Sequence, residues 1–456
     1  MMVRRGFFQL GFCAVLLLAS LAPTDLTAQT AGKSAPAAEP QLAAPQVPAE
    51  PQLAAPQRAQ QSYSLPPDKL AKAIALSRIR NILEIAGSIW GLVVLWLLLA
   101  SRAAAGLEAW AKRMAARRWV QGILFFAAVI LIGKLADLPL GLIGHYEGLK
   151  YGISVQSWAS WLGDEGKALG LALVIYTAVL LLFNWIVRRW PRRYWLGLWV
   201  ATVPLLVLTI FISPLVEPLF NQFEPLAKNH AGLVAQLEKV VTRTGTNIPP
   251  ERMLLMKAGL KTNGLNAYVT GVGATKRIVV WDTTASRIPD DEVLFIFGHE
   301  SGHYVLHHIP KLIAGMAAGL FFVYWACAGF ANWLVGRLGA SWKVSEISSR
   351  SGFVVLLFVV SVAGFVLEPV SNGFSRHFEH QADVYGQEAV HGIVADPQKT
   401  AVAAFNDLGE AWLEDPNPSP LIEFWLFNHP STKRRAEFAA HYDPWANGGR
   451  GEFFGK

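Results

Sequence analysis

Asp290-Asp291-Glu292-Val293-Leu294-Phe295-Ile296-Phe297-Gly298-His299-Glu300-Ser301-Gly302-His303 has helical character and ends in the pattern HExxH. On a helix, residues four apart are separated by about 6 Å of rise and about 40° of rotation. His299 and His303 therefore leave one face and can grip a single zinc ion. Glu300 projects beside them, placed to act on a zinc-bound water. The chain has two cysteines, Cys13 and Cys327, each in an apolar run. A cysteine-built zinc site is thereby excluded, leaving His and carboxylate ligands.

Outward from this stretch, the chain is too apolar for a soluble protein. It has 456 residues, 53% of them hydrophobic, and a mean hydropathy of +0.32. Apolar runs near the ~20 residues that cross hydrocarbon fall at about 82–100, 120–138, 169–187 and 195–213, then at 311–335 and 352–367. Trp90, Trp119, Trp185, Trp190, Trp195 and Trp342 lie near their ends, as interfacial anchors do. The net charge of +7 is concentrated in short connections. Arg102, Lys112, Arg113, Arg117 and Arg118 fill one, Arg188, Arg189, Arg192 and Arg193 another, and Arg337, Lys343 and Arg350 a third. The positive-inside rule places these in the cytoplasm. Residues 137–165, the HExxH segment 214–310 and the chain from Ser371 then face outward. No basic face with interleaved aromatics is present, which excludes a nucleic-acid partner.

Six segments follow. Residues 1–28 read as a secretory signal or an uncleaved first span, with Arg4 and Arg5 ahead of an apolar core. Residues 29–67 are an Ala/Pro/Gln-rich tether, in which 38–46 recur as 49–57. Residues 68–216 hold membrane helices, and an amphipathic helix starts at Asp68. Residues 217–310 are the peptidase region. Within it, 233–241 reads as a helix, 252–257 as a short strand, and 267–270 with 277–282 as strands paired across Gly271-Val272-Gly273. Residues 311–370 are a membrane helix pair, and 371–456 complete the peptidase. The expected fold is an α-helical polytopic integral membrane protein of six or seven spans, with a small α+β zinc-metalloprotease patch on the membrane helices.

Two histidines need a third protein ligand. The position ten residues after His299 is Ile309, not histidine. His307 lies about a turn too far along the axis, so His307 and His308 read as interface residues. Glu379 and Asp383 share a helix face in Ser375-Arg376-His377-Phe378-Glu379-His380-Gln381-Ala382-Asp383. Glu379 can ligate zinc while Asp383 accepts a hydrogen bond from a ligand histidine. Alone, the two carboxylates would equally suit a solvated helix. An HExxH elsewhere in the chain favours the ligand reading.

His299-Glu300-x-x-His303 with Ser375-Arg376-x-x-Glu379-x-x-Ala382-Asp383 resembles the type-1 CAAX prenyl endopeptidase family and its bacterial membrane metalloprotease relatives. Asn266-Ala267-Tyr268-Val269-x-Gly271, Lys276-Arg277-Ile278-Val279-Val280-x-Asp282-Thr283, Pro218-Leu219-Phe220-Asn221-Gln222-Phe223-x-Pro225-Leu226 and His429-Pro430 with Arg435 resemble further elements of that family, in order. The loop at 146–154 keeps only fragments of the family's pattern. The resemblance implies that Asn266 and His429 stabilise a tetrahedral intermediate, that Arg435 orients the site, and that the helices enclose a polar chamber. It also implies a cytosolic catalytic face, opposite to the loop charges.

The expected activity is a membrane-embedded zinc endopeptidase with one zinc per subunit, held by His299, His303 and Glu379. Glu300 takes a proton from water and passes it to the leaving amine. His429, Asn266 and Asp383 assist. A peptide or protein substrate lies along the strand edge at 266–270, at Asn266, Ala267 and Tyr268, with Arg435 at the site. The lipid bilayer is the other partner. CAAX-type processing of lipidated peptides and a non-catalytic zinc-binding membrane chaperone are the alternatives. A transporter is disfavoured by the few ionisable residues within the spans.

Overall fold

The computed structural model describes residues 63–455. The expected signal at 1–28 and nearly all of the tether lie outside them. In order, the chain forms α1 (Pro67–Ala100), α2 (Ala103–Met114), α3 (Arg118–Lys150), α4 (Trp158–Arg189) and α5 (Tyr194–Val216). It continues with β1 (Phe223–Pro225), α6 (Ala227–Thr244), β2 (Met253–Met256), β3 (Ala267–Thr270), β4 (Arg277–Trp281) and α7 (Asp282–Arg287). It ends with α8 (Asp290–Val305), α9 (His308–Trp342), α10 (Arg350–Val390), α11 (Pro397–Trp412), α12 (Pro420–Leu426) and α13 (Thr432–His441).

Among the described residues six helices are long and apolar enough to cross a bilayer: α1, α3, α4, α5, α9 and α10. They contain the six apolar runs of the sequence. A 33-residue helix such as α3 is about 50 Å long, well beyond the ~30 Å of hydrocarbon. Of the long helices, α1 and α10 extend into the peptidase, where Ala73, Leu76, Tyr385 and Ala389 join its core. The broad connection expected at 137–165 is therefore mostly helical: α3 runs on through Pro139 to Lys150, and only 151–157 separate it from α4. The last span and the segment bearing Glu379 are likewise one unbroken helix of 41 residues, α10, with Ser349 capping its N-terminus by accepting from Gly352 N at 2.9 Å. The proposed division at 370/371 falls inside it.

The basic connections gather at one end. Arg102 Nε donates to Ser341 O at 3.0 Å, and Arg350 Nη2 to Arg118 O at 2.7 Å. Buried Glu108 on α2 accepts from Ser351 N and Oγ at 3.0 and 2.7 Å and pairs with Lys112 at 2.8 Å. A core of α1–α5, α9 and the first half of α10 lies between this end and the peptidase.

The other end is built on a four-stranded sheet of order β1-β2-β4-β3. β2 and β4 are parallel, with Leu254 opposite Val279, while β3 and β4 are antiparallel, with Tyr268 opposite Val279. The turn after β3 requires glycine at 271. Its φ is +84°, and a Cβ there would meet Thr275 O at 2.3 Å. Three strands occupy the expected positions. β1 was not expected, because three residues carry no periodicity to read. β3 is an edge strand packed against α8.

The N-terminal approach is also docked. Tyr63 and Leu65, inside the stretch read as tether, are buried in the peptidase core. Tyr63 donates to Glu414 O at 2.9 Å, and Gly409 is the close neighbour that admits its ring. Two aromatic or apolar residues in an otherwise Ala/Pro/Gln stretch are sufficient to anchor its end.

Candidate active site

α8 presents His299, Glu300 and His303, and α10 presents Glu379 and Asp383. The two helices meet almost backbone to backbone. A Cβ on Gly298 would lie 3.1 Å from Gly386 O, one on Gly386 would lie 2.9 Å from His299 N, and one on Gly302 would lie 3.0 Å from Tyr385 Cβ. Glycine costs a helix about 1 kcal/mol relative to alanine. Here three of them allow an approach that no larger residue permits. It brings the carboxylates of α10 up to the imidazoles of α8.

One ligand atom from each of His299, His303 and Glu379 falls within a 4.8 Å cluster. The Nε2 atoms of His299 and His303 are 3.2 Å apart and lie 3.4 Å from Glu379 Oε2 and Oε1 respectively. His299 Nδ1, on the far side of its ring, lies 2.9 Å from Asp383 Oδ1. Asp383 is clamped by Arg435, whose Nε and Nη2 donate to Oδ2 and Oδ1 at 3.0 and 2.6 Å. Burial opposes charge on His299 most strongly, but Asp383 and Glu379 together outweigh it and lift its pKa to about 9. A cation ligated by this ring must displace that proton.

His429 Nε2 lies 3.2 Å from Glu379 Oε1, and its Nδ1 lies 2.8 Å from Asn428 Oδ1. The loop carrying it is held by a residue whose role the sequence did not disclose. Arg376, on α10, donates to Glu423 O at 3.1 Å and Phe427 O at 2.5 Å, closing the C-terminus of α12. Asn266 precedes edge strand β3. Its main chain is fixed by Thr284 Oγ1, which accepts from Asn266 N and donates to Asn266 O, both at 2.8 Å.

Two expected substrate contacts differ. Arg435 is spent on Asp383 and lies 3.6 Å from Glu379, with its guanidinium over the Phe405 ring at 4.5 Å. It positions the site. The Tyr268 ring belongs to the small cluster with Met256, Val279 and Trp281, whereas Ala267, its neighbour in β3, is in the core shared with α8. Alternation along a strand sends the two side chains to opposite faces, so Tyr268 can serve an edge-bound peptide only through its backbone. Glycines 298, 302 and 386 were missed as site builders. Their signal was glycine inside strongly helical stretches.

The profile of peptidase family M48 matches residues 227–443, and that of the CAAX prenyl protease N-terminal region, five membrane helices, matches 50–222. An uncharacterised metalloprotease of Bacillus subtilis, YhfN, is 33% identical over 385 residues, covering 84% of this chain and 88% of that one. The chain belongs to peptidase family M48. This M48 protein is also 25% identical to CAAX prenyl protease 1 of Saccharomyces cerevisiae, over 69% of this chain and 71% of that one. The crystal structure of S. mikatae Ste24p superposes with a TM-score of 0.68 at 22% identity, covering 84% of this chain and 92% of that one, and so shares the fold. The M48 chain is a multi-pass membrane metalloendopeptidase. A non-catalytic chaperone or transporter is not favoured.

Proposed function

We propose that His299, His303 and Glu379 hold one zinc ion, and that the enzyme cleaves membrane or envelope proteins at the outer face of the cell membrane. The observation that carries the metal reading is the donor set itself. Two imidazole nitrogens and a carboxylate converge, and among the described residues the buried Glu379 Oε2 has only the long contacts to His299 Nε2 at 3.4 Å and Arg435 Nη2 at 3.6 Å. A buried carboxylate oxygen left this way is costly, and a divalent cation satisfies it. His₂Glu with water in the fourth position is a catalytic zinc set.

When bound, zinc supplies Lewis-acid activation of the attacking water and of the scissile carbonyl. The chain's residues do the rest. Edge strand β3 can receive an extended peptide as an added strand, without strong sequence preference. Glu300 accepts the proton of water as its oxygen bonds to the carbonyl carbon, then returns it to the nitrogen as the C–N bond breaks. His429 and Asn266 donate to the oxyanion. Asp383 and Arg435 hold His299 with its Nε2 lone pair towards the cation.

The basic connections lie at the end opposite the site, and the positive-inside rule then turns the site outward. The test is a single cysteine at exposed Ser286 (S286C), with Cys13 and Cys327 replaced and intact cells treated with an impermeant thiol reagent. Labelling in intact cells supports the outward site. Labelling only after the membrane is opened overturns it and favours the second reading, CAAX-type processing at the cytosolic face. The likeness to CAAX prenyl protease 1 is the observation behind that reading. Zinc content and peptide hydrolysis of the purified protein, with E300Q as control, test the chemistry.

A further inference from the structure

We propose that His308 and Gln381 are positioning residues for the metal site, a two-link hydrogen-bonded chain that fixes the tautomer and ring orientation of His303. The inference rests on the zinc reading above. His308 opens α9 just past the turn at His307, whose φ is +56°. That left-handed turn throws His307 into solvent and folds His308 back under the HExxH helix, where it is 2% exposed.

His303 Nδ1 lies 3.1 Å from His308 Nδ1, and His308 Nε2 lies 3.1 Å from Gln381 Oε1. The Nε2 of His303 faces Glu379 and His299. A cation there uses the Nε2 lone pair, so the proton of His303 must sit on Nδ1. His308 Nδ1 is then the acceptor, and its own proton must sit on Nε2, facing an oxygen that can only accept. One arrangement of protons satisfies all three residues. The His308 ring is stacked on Phe378, with centroids 4.6 Å apart and an interplanar angle of 18°, which fixes the acceptor's direction.

The two histidines are thus held by different chemistry. His299 has a carboxylate behind it, and His303 has a neutral ring. Asp383 makes His299 a more basic ligand, whereas the His308 chain adds orientation without adding a further negative charge to a site that already contains Glu379 and Asp383. Gln381 lies two residues after Glu379 and two before Asp383, so α10 sets the third ligand and both supports at once.

The experiment compares parent, H308F, H308N and Q381L as full-length protein in detergent. It reads zinc affinity by chelator competition, the visible spectrum of the cobalt-substituted protein, and kcat and KM for a peptide. Phenylalanine keeps the stack but removes the acceptor. Asparagine returns an acceptor near the Nδ1 position. H308F should bind zinc about 10–100-fold more weakly, with a shifted cobalt spectrum and a fall in kcat larger than the change in KM. H308N should recover most of the loss, and Q381L should weaken zinc about threefold or more. H308F with parental affinity and spectrum overturns the inference. If H308F does not fold, Q381L with parental values does so. A parent that binds no zinc, or binds it equally after H299A, defeats the zinc reading itself.

Discussion

Both ends of this molecule bury a carboxylate among basic side chains, and they do so to different effect. At the basic end Glu108 accepts from Ser351 N and Oγ and pairs with Lys112, so its bonding capacity is spent on tying α2 to the start of α10. At the catalytic end Glu379 is surrounded by His299, His303, His429 and Arg435 at 3.2–3.6 Å, and among the described residues no donor closes on Oε2 at ordinary hydrogen-bond geometry. A satisfied buried charge holds helices together. One whose neighbours stand slightly too far off is arranged for an ion.

The comparison breaks most directly at the two carboxylates. E379Q should weaken zinc binding more than about 100-fold and abolish peptide hydrolysis. E108Q should lower the thermal midpoint by several degrees and leave zinc affinity within about twofold. Equal metal loss in both, measured by chelator competition, would erase the distinction. Next in size is D383N, which keeps the shape but removes the charge behind His299. A 10–100-fold loss of zinc affinity is expected, with no comparable change in the midpoint.

A third test separates close approach from helix propensity. G386A places a Cβ 2.9 Å from His299 N and should cost about 1–3 kcal/mol by overpacking, together with zinc affinity. G163A, in α4 with open space around it, should stabilise by about 0.5–1 kcal/mol and leave zinc untouched. Both are readable from denaturation midpoints and metal titration.

The smallest effect concerns a carboxylate near the site that neither ties helices by charge nor faces the ion. Burial, then Asp407, then Asp291 raise the pKa of Glu292 to about 9. A folded-state value above the ordinary 4.5 means that the folded chain binds the extra proton. Stability therefore falls as pH rises from about 4.5 towards 9. E292Q should remove that slope, raising the midpoint a few degrees at pH 8 and little at pH 5. An unchanged difference between pH 5 and pH 8 would sink the assignment.

Much of this was legible because its signals are local. Apolar length gave the six spans, HExxH gave the histidine pair and Glu300, and the four-residue spacing of Glu379 and Asp383 placed them on one face. What stayed hidden depends on contacts between distant segments. Tyr268 reads as an edge residue offered to substrate, but only the sheet's packing decides which face its ring takes. Arg435 reads as a residue that orients the site, but only the fold shows that Asp383, on another helix, is the group it holds. His308 reads as an interface residue until the turn at His307 folds it back.

The sequence by itself determined that the chain is a membrane protein with a histidine pair and a glutamate on one helix, since periodicity, length and hydrophobicity act within a single element. The tertiary structure decided the approach of Glu379 to that pair, the supports behind each histidine and the seat of His429. Those depend on two helix backbones meeting at Gly298 and Gly386. An interhelical distance is set by packing across 87 residues of intervening chain, which no local pattern encodes.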